Sequence, residues 1–271
     1  MASRFWVGGT GTWDSSDTTH WAASSGGAGG QSVPGSADQV IFDGSSGGGT
    51  VTLNFGGTIT VQQISMGSFT GTWDNSVNNN NITVSAGSGN GFSLTGTATR
   101  TIKLGSATYT LTNASGVWNF GTTNNATFTG SSATIAFTNG GTFTGGDKTY
   151  GTLSLAALTG ANAYSIGGTN TFSNVSITAP CWIEFASSQT FSGAVNWAGS
   201  SGSVIALMPN SSGSQRTLAF AAGSTLQWCA LRGVANTGSP TITNSFDLGN
   251  NSGASIGAPG SGAAVSFVIG S

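Results

Sequence analysis

Short runs in which apolar and polar residues alternate recur along the chain. Clear examples are Val51–Phe55, Tyr109–Thr112, Ala133–Phe137 and Thr217–Phe220, and each is bounded by Gly, Asn or Ser. Alternation with a period of two predicts β-strands that bury one face. The best helical candidate, residues 153–163, is interrupted by glycine and threonine. The pattern therefore predicts an all-β protein.

A local similarity recurs at irregular intervals. Tyr150, Phe172 and Phe191 each open a similar unit, at spacings of 22 and 19 residues. Irregular repeats of roughly 15 to 25 residues are typical of a β-solenoid, whose coils stack apolar residues inside and turn at Gly, Asn and Ser. We therefore predict a parallel β-helix, or β-solenoid, of short strands. A β-sandwich or jelly roll is the alternative, because short, evenly spaced strands suit those folds as well.

The first 45 residues differ from the rest in composition. They hold four of the eight acidic residues, namely Asp14, Asp17, Asp38 and Asp43. We predict that residues 1–45 form a Trp-rich module that caps the open sheet edge at one end of the solenoid. Because tryptophan is favoured at interfaces, we also predict that this module attaches the protein to its partner, through Trp6, Trp13 and Trp21.

The remaining chain divides at about residue 233. Residues 46–233 carry the repeats and are predicted to form the solenoid. From there the repeats give way to turns rich in Gly, Asn and Ser, and residues 234–271 are predicted to form a C-terminal β tail or cap. Its last alternating run, Val265–Ile269, is predicted as a strand that is available to pair with a neighbouring subunit.

Composition and charge narrow the functional classes. Gly, Ser, Thr and Asn make up more than half of the 271 residues, and charged residues only 5%, with six Lys or Arg against eight Asp or Glu. A nucleic-acid-binding protein needs a basic surface, which six scattered cations do not supply. A highly charged disordered tail is excluded because the chain is 37% hydrophobic and holds 15 Phe.

The sequence also bears on the compartment. The chain has neither a visible signal peptide nor an apolar run of membrane-spanning length, so we expect no membrane insertion. Cys181 and Cys229 lie 48 residues apart, and we expect both to be free and buried. This pattern indicates synthesis in a reducing cytoplasm and exposure later, after lysis.

Two stretches resemble known proteins. The first comprises residues 5–14, with the motif FWVGGTGTWD, together with residues 19–43, and the second comprises residues 187–193 and 212–226. They are similar to Gly/Ser/Thr-rich β-helical proteins of phage virion surfaces, and also to bacterial surface adhesins. The resemblance covers about a third of the chain. It implies a location on the outside of a phage particle or a cell, and assembly as a trimer.

The inventory of reactive side chains is thin. His20 is the single histidine, and we expect it to make a structural hydrogen bond. No nucleophile motif, metal-ligand cluster or phosphate-binding loop is recognisable. We therefore expect no enzymatic activity, no metal and no cofactor. The four acids of the first 45 residues do not match the spacing of a known calcium loop, and we expect them to cap turns.

One short run carries a candidate contact site. In Cys181–Phe185, alternation places Cys181, Ile183 and Phe185 on one face and leaves Trp182 and Glu184 on the other, outer face. A surface tryptophan beside a carboxylate can hold a sugar ring. A subunit contact, or a simply exposed pair, is the competing interpretation of Trp182 and Glu184.

Together these observations predict a non-enzymatic bacteriophage virion structural protein on the particle exterior. It would be a capsid decoration protein or a head or tail fibre, attached through the N-terminal module. The alternative hypothesis is a receptor- or carbohydrate-binding adhesin on a phage tail or a bacterial surface. The expected partners are further copies in a homotrimer, phage capsid or tail proteins, and a host surface glycan. A depolymerase is a third hypothesis, which the scarcity of acids disfavours.

Overall fold

The fold is all-β in a computed structural model that describes residues 2–85, 91–121, 125–160 and 162–260. Those residues form 28 strands and one 3-10 helix, Gly44–Ser46, which Asp43 caps. In chain order the strands are β1 (Ala2–Trp6), β2 (Gly11–Asp14), β3 (Trp21–Ala22), β4 (Asp38–Phe42), β5 (Thr50–Asn54), β6 (Ile59–Val61), β7 (Gln63–Met66), β8 (Thr72–Asp74), β9 (Ile82–Val84), β10 (Phe92–Leu94), β11 (Arg100–Lys103), β12 (Thr108–Leu111), β13 (Val117–Asn119), β14 (Ala126–Phe137), β15 (Gly141–Thr144), β16 (Thr149–Leu155), β17 (Tyr164–Gly167), β18 (Thr171–Ile177), β19 (Cys181–Phe185), β20 (Gln189–Phe191), β21 (Asn196–Ala198), β22 (Ile205–Pro209), β23 (Arg216–Phe220), β24 (Thr225–Gln227), β25 (Cys229–Leu231), β26 (Val234–Thr237), β27 (Thr241–Thr243) and β28 (Phe246–Asp247).

The strands form long parallel sheets. One sheet has 12 strands in the order β3-β1-β4-β7-β10-β13-β15-β17-β19-β22-β25-β28, a second has 13, and a third consists of β21, β24 and β27. Consecutive strands along the chain belong to different ladders. Each strand pairs with a strand that comes two or three strands later in the sequence. Among the named strands, only β1 and β3 pair antiparallel. Sandwiches and jelly rolls are built from antiparallel strands, so the pairing does not support that alternative.

The long strand β14 serves two ladders of the 13-stranded sheet. The first half of β14 pairs with β11, and its second half pairs with β12. The register shifts between Gly130 and Thr134, where β14 passes from one ladder to the other. Between these two residues β14 advances by four residues, whereas β16 advances by only two, from Tyr150 to Thr152.

The repeat recognised in the sequence is a structural repeat. Tyr150 is the register partner of Phe172, and Phe172 is the partner of Phe191. Phe191 in turn lies opposite Phe220, with 5.1 Å between the ring centroids. Because parallel strands in register place like residues above one another, these rings form one continuous internal column. The predicted alignment of the three units is therefore confirmed.

The first 45 residues are part of the common core. Strands β1 and β2 are the first members of their sheets, paired with β4 and β5. The Trp13 ring lies 5.9 Å from that of Trp73, between centroids. Only β3, the antiparallel end strand, covers an edge. The predicted boundary at residue 45 therefore separates no independent module, because the strands on both sides share one hydrophobic core.

The repeat also continues past residue 233. Strands β26 to β28 extend the same three sheets, and Phe246 is the register partner of Ala230. Bridges to Ser252 and Ile256 add to the following ladders. The predicted change at residue 234 is a change of composition without a change of architecture. The predicted strand Val265–Ile269 lies outside the described residues.

A buried arginine joins two successive turns of the chain. Arg100 is only 3% exposed. All five of its N–H groups donate to backbone carbonyls. Nη1 donates to Met66 and Gly67, Nη2 donates to Thr95 and Gly96, and Nε donates to Ala98. A buried cation is tolerated when all its donors are satisfied. Arg100 therefore fixes the ends of β7 and β10 against the start of β11.

We expect the internal aromatic column to dominate stability. Replacing Phe172, which is fully buried, with alanine removes the ring between Tyr150 and Phe191 and leaves a cavity. The free energy of unfolding should fall by about 3–5 kcal/mol, as measured by denaturant titration. The control Ser176→Ala changes an exposed position on the same strand and should cost less than about 0.5 kcal/mol. Equal costs for the two variants would contradict the stacked core.

Candidate functional site: a groove beside Glu184

The tryptophans predicted to make the attachment contact lie in the core. Trp6, Trp13 and Trp21 are each 0% exposed. Trp6 stacks on His20 at 4.5 Å and meets Trp21 edge-on at 5.2 Å. The interpretation of these three indoles as surface contacts is therefore wrong, because no partner can reach them in this fold. Tryptophan is enriched both in cores and at interfaces, so the sequence alone does not distinguish the two roles.

His20 has the structural role that the sequence predicted. Its Nδ1 atom lies 2.8 Å from the carbonyl oxygen of Val7. A Cβ atom at Gly11 would collide with the imidazole ring, so glycine is required there by the close approach. The stack of Trp6 and His20 thus fixes the loop between β1 and β2.

The acidic residues of the first 45 positions cap turns, as predicted. The N–H groups of Asp17 and Ser16 donate to Asp14 Oδ1 and lower the pKa of that carboxyl. The hydroxyl and N–H of Thr19 do the same for Asp17. Each of these carboxylates is therefore already engaged by its own turn.

Glu184 differs from every other acid in the described part of the chain. The seven aspartates all accept hydrogen bonds. Outside the first 45 residues, Asp74 accepts from Ser76 and Lys103, Asp147 accepts from Thr169, and Asp247 accepts from Gly249 and Asn251. Among the described residues, the Glu184 carboxylate has neither a hydrogen bond nor an ion pair. Glu184 is therefore the acid whose acceptor capacity is available to a ligand.

Strand β19 presents its side chains as the alternation predicted. Cys181, Ile183 and Phe185 are buried, whereas Trp182 and Glu184 lie on the outer face at intermediate exposure. The indole N–H of Trp182 is buried without a hydrogen-bond partner among the described residues. Trp182 therefore offers less open ring surface than a fully exposed tryptophan would.

Glu184 borders a groove that crosses four neighbouring strands of the 12-stranded sheet. Val117, Thr142, Ser165 and Glu184 are successive register partners on β13, β15, β17 and β19. All four line a groove of ≈ 460 Å³. With strands about 4.8 Å apart, the groove spans roughly 14 Å from Val117 to Glu184.

Small residues give this groove its depth. Its middle is lined by Gly141, Thr142, Ala163 and Ser165, and at the far side Ala114 and Ser115 lie in the loop before β13. Hydroxyl groups and short apolar side chains therefore both line the groove, and a single carboxylate lies at one end. Such a surface can accept and donate hydrogen bonds and can contact a small apolar face.

The described ranges hold neither a metal-ligating cluster nor a membrane-spanning helix. They contain no group of three or more His, Cys, Asp or Glu side chains that could hold a metal ion. No helix within them is long and apolar enough to cross a membrane.

Five buried groups have raised pKa values. Burial raises the pKa of both Cys181 and Cys229 to about 12, and that of Tyr164 to about 12. Burial also raises the pKa values of Tyr109 and Tyr150. Both cysteines are free and buried, as predicted, and their thiols remain protonated in the folded protein.

Comparisons with known proteins return no similarity. No protein-family model matches the chain, and searches of curated proteins and of solved structures find no match.

The buried thiols and phenols predict a loss of stability at alkaline pH. In the unfolded chain Cys and Tyr ionise near their ordinary pKa values of about 8.5 and 10, whereas in the folded protein they stay protonated. The unfolded state then binds fewer protons, so the free energy of unfolding should fall as pH rises from about 9 to about 12. Each ionising cysteine contributes about 1.4 kcal/mol per pH unit.

Denaturant titrations at pH 8, 10 and 11 measure this loss. A variant carrying both Cys181→Ala and Cys229→Ala should lose less stability over the same range than the unmodified protein. A free energy of unfolding that is constant from pH 8 to pH 11 would refute the prediction.

Proposed function

We propose that this chain is a three-sided β-solenoid that serves as a non-enzymatic structural protein on the exterior of a bacteriophage virion. In this role it would be a capsid decoration protein or a fibre. The observation that carries the proposal is the continuous ladder of 12 strands, in which every pair except β1 and β3 is parallel. At about 4.8 Å per strand, the ladder corresponds to a rod of roughly 50 Å.

The outer faces carry few charges, which suits a particle that is exposed to changing ionic strength. Outward threonines lie in register on four successive strands, at Thr50, Thr72, Thr101 and Thr127. In the described residues the one salt bridge joins Lys103 and Asp74. Because screening by salt acts on exposed charges, a rod with so few of them keeps its stability over a wide range of ionic strength.

The buried free cysteines also support the proposal. Free thiols persist in proteins made in a reducing cytosol, which is where phage structural proteins are assembled. Cys181 and Cys229 are both sealed inside the fold, so later exposure to oxidants would leave them unchanged.

We propose that attachment uses the outer surface of residues 1–45, where Ser15 and Ser24 are exposed. Deleting this region would remove β1, β2 and β4 and expose core residues, so a deletion does not test attachment cleanly. Surface substitutions are the appropriate test, because bulky cations at exposed positions block a contact without disturbing the core.

Attachment can be tested by immunogold electron microscopy of particles from the phage that carries the chain. An antibody to the purified protein should label intact particles, and the Ser15→Arg, Ser24→Arg variant should reduce the label at least tenfold. The matched control, Thr178→Arg with Ser201→Arg, changes two exposed positions elsewhere and should label normally. Protein that stays in the soluble lysate while particles remain unlabelled would sink the virion role.

We also propose that the protein assembles as a homotrimer. Light scattering of the purified chain should then give three times 26.8 kDa, at protein concentrations where the mass no longer depends on dilution. A mass of 26.8 kDa throughout the titration would exclude the trimer, whether or not the particles are labelled.

A further inference from the structure

We propose that the groove beside Glu184 is a binding site for an oligosaccharide that carries no negative charge. The site stands apart from the proposed virion role, since a decoration protein, a fibre or an adhesin could each use it. Its evidence is the unpartnered carboxylate, the register of the four lining strands and the small residues between them.

The carboxylate determines which ligand groups fit. Glu184 is an acceptor without a donor among the described residues, and an ionised carboxylate can accept several hydrogen bonds. Neighbouring hydroxyls of a sugar, or the ammonium group of an amino sugar, supply such donors. Bonds of this kind are charge-assisted and stronger than neutral ones. Acidic sugars and phosphates would instead place like charge beside Glu184.

The middle of the groove matches the mixed character of a sugar ring. Thr142 and Ser165 present hydroxyls from adjacent strands, in register with Glu184. Val117 and Ala163 lie beside them and offer short apolar contacts. A sugar ring has hydroxyls at its rim and C–H groups on its faces, so both kinds of contact can be made at once.

Trp182 has a secondary place in this site. It lies on the outer face of β19, two residues before Glu184. Because Tyr164 is the register partner of Ile183, the preceding residue Trp182 lies beside Ala163, which lines the groove. Its half-buried indole can flank a ligand. The geometry therefore assigns the main role to Glu184 and the hydroxyls, rather than to stacking on Trp182.

The groove fits a subunit contact less well. A protein surface that closed over it would remove Glu184 from water, and a buried charge without a partner is strongly destabilising. A hydrated sugar brings its own donors to the same carboxylate. Self-association through this face is therefore the competing outcome of the test.

The test uses the purified full chain on a microarray of neutral, amino and acidic oligosaccharides, followed by calorimetric titration with the strongest neutral or amino-sugar ligand. Glu184→Gln keeps the size of the side chain and removes its charge, and it should weaken binding at least tenfold. Ser165→Trp fills the groove and should abolish binding. The matched control Ser176→Trp, at an exposed position on another ladder, should bind like the unmodified protein.

Three results would overturn the proposal. The first is the absence of any neutral or amino-sugar signal from protein whose thermal unfolding is normal. The second is a preference for acidic sugars, and the third is binding that neither Glu184→Gln nor Ser165→Trp weakens. A drop in mass by light scattering caused by Ser165→Trp would assign the face to subunit contact instead. Particle labelling is measured separately, so a failure of either proposal leaves the other testable.

Discussion

The in-register stacking of parallel strands determines which side chains meet inside this protein. Each inner strand donates and accepts hydrogen bonds on both sides, so its neighbours must match its length and register. A residue that points inward on one strand then lies against an inward residue on the next. This requirement explains why Tyr150, Phe172, Phe191 and Phe220 form a column. It also explains why Arg100 must satisfy its donors with carbonyls from two successive turns.

Local alternation and the spacing of aromatic anchors were enough to predict several of the strands and part of their register. Both are properties of a single strand and its nearest neighbours, which the sequence displays directly. The boundaries at residues 45 and 233 could not be predicted in the same way. Composition changes there, yet β4 pairs with β1 and β26 pairs with β23, because hydrogen bonding depends on backbone geometry rather than on the abundance of Gly or Trp. The burial of Trp13 likewise depends on Trp73, sixty residues away.

The candidate site was predictable only in part for a related reason. Alternation within Cys181–Phe185 indicates that Glu184 points outward, and the structure agrees. Its groove, however, is formed by residues on strands that begin at Val117, Gly141 and Tyr164. No local pattern marks those positions as neighbours of Glu184. The sequence also does not show that Glu184 lacks a hydrogen-bond partner. The aspartates are acidic residues like Glu184, yet they accept hydrogen bonds from nearby groups in the folded protein.

The pairing of each strand only with the next one in its ladder has an evolutionary consequence. Stability in such an arrangement is approximately a sum over units and the contacts between adjacent units. Duplication of one whole unit would therefore lengthen the molecule, and loss of one would shorten it, while the other units stay intact. The groove occupies only the units between Ala114 and Glu184, so it could be inherited unchanged by descendants of different length. Molecular length and surface chemistry are thus free to diverge independently in this architecture.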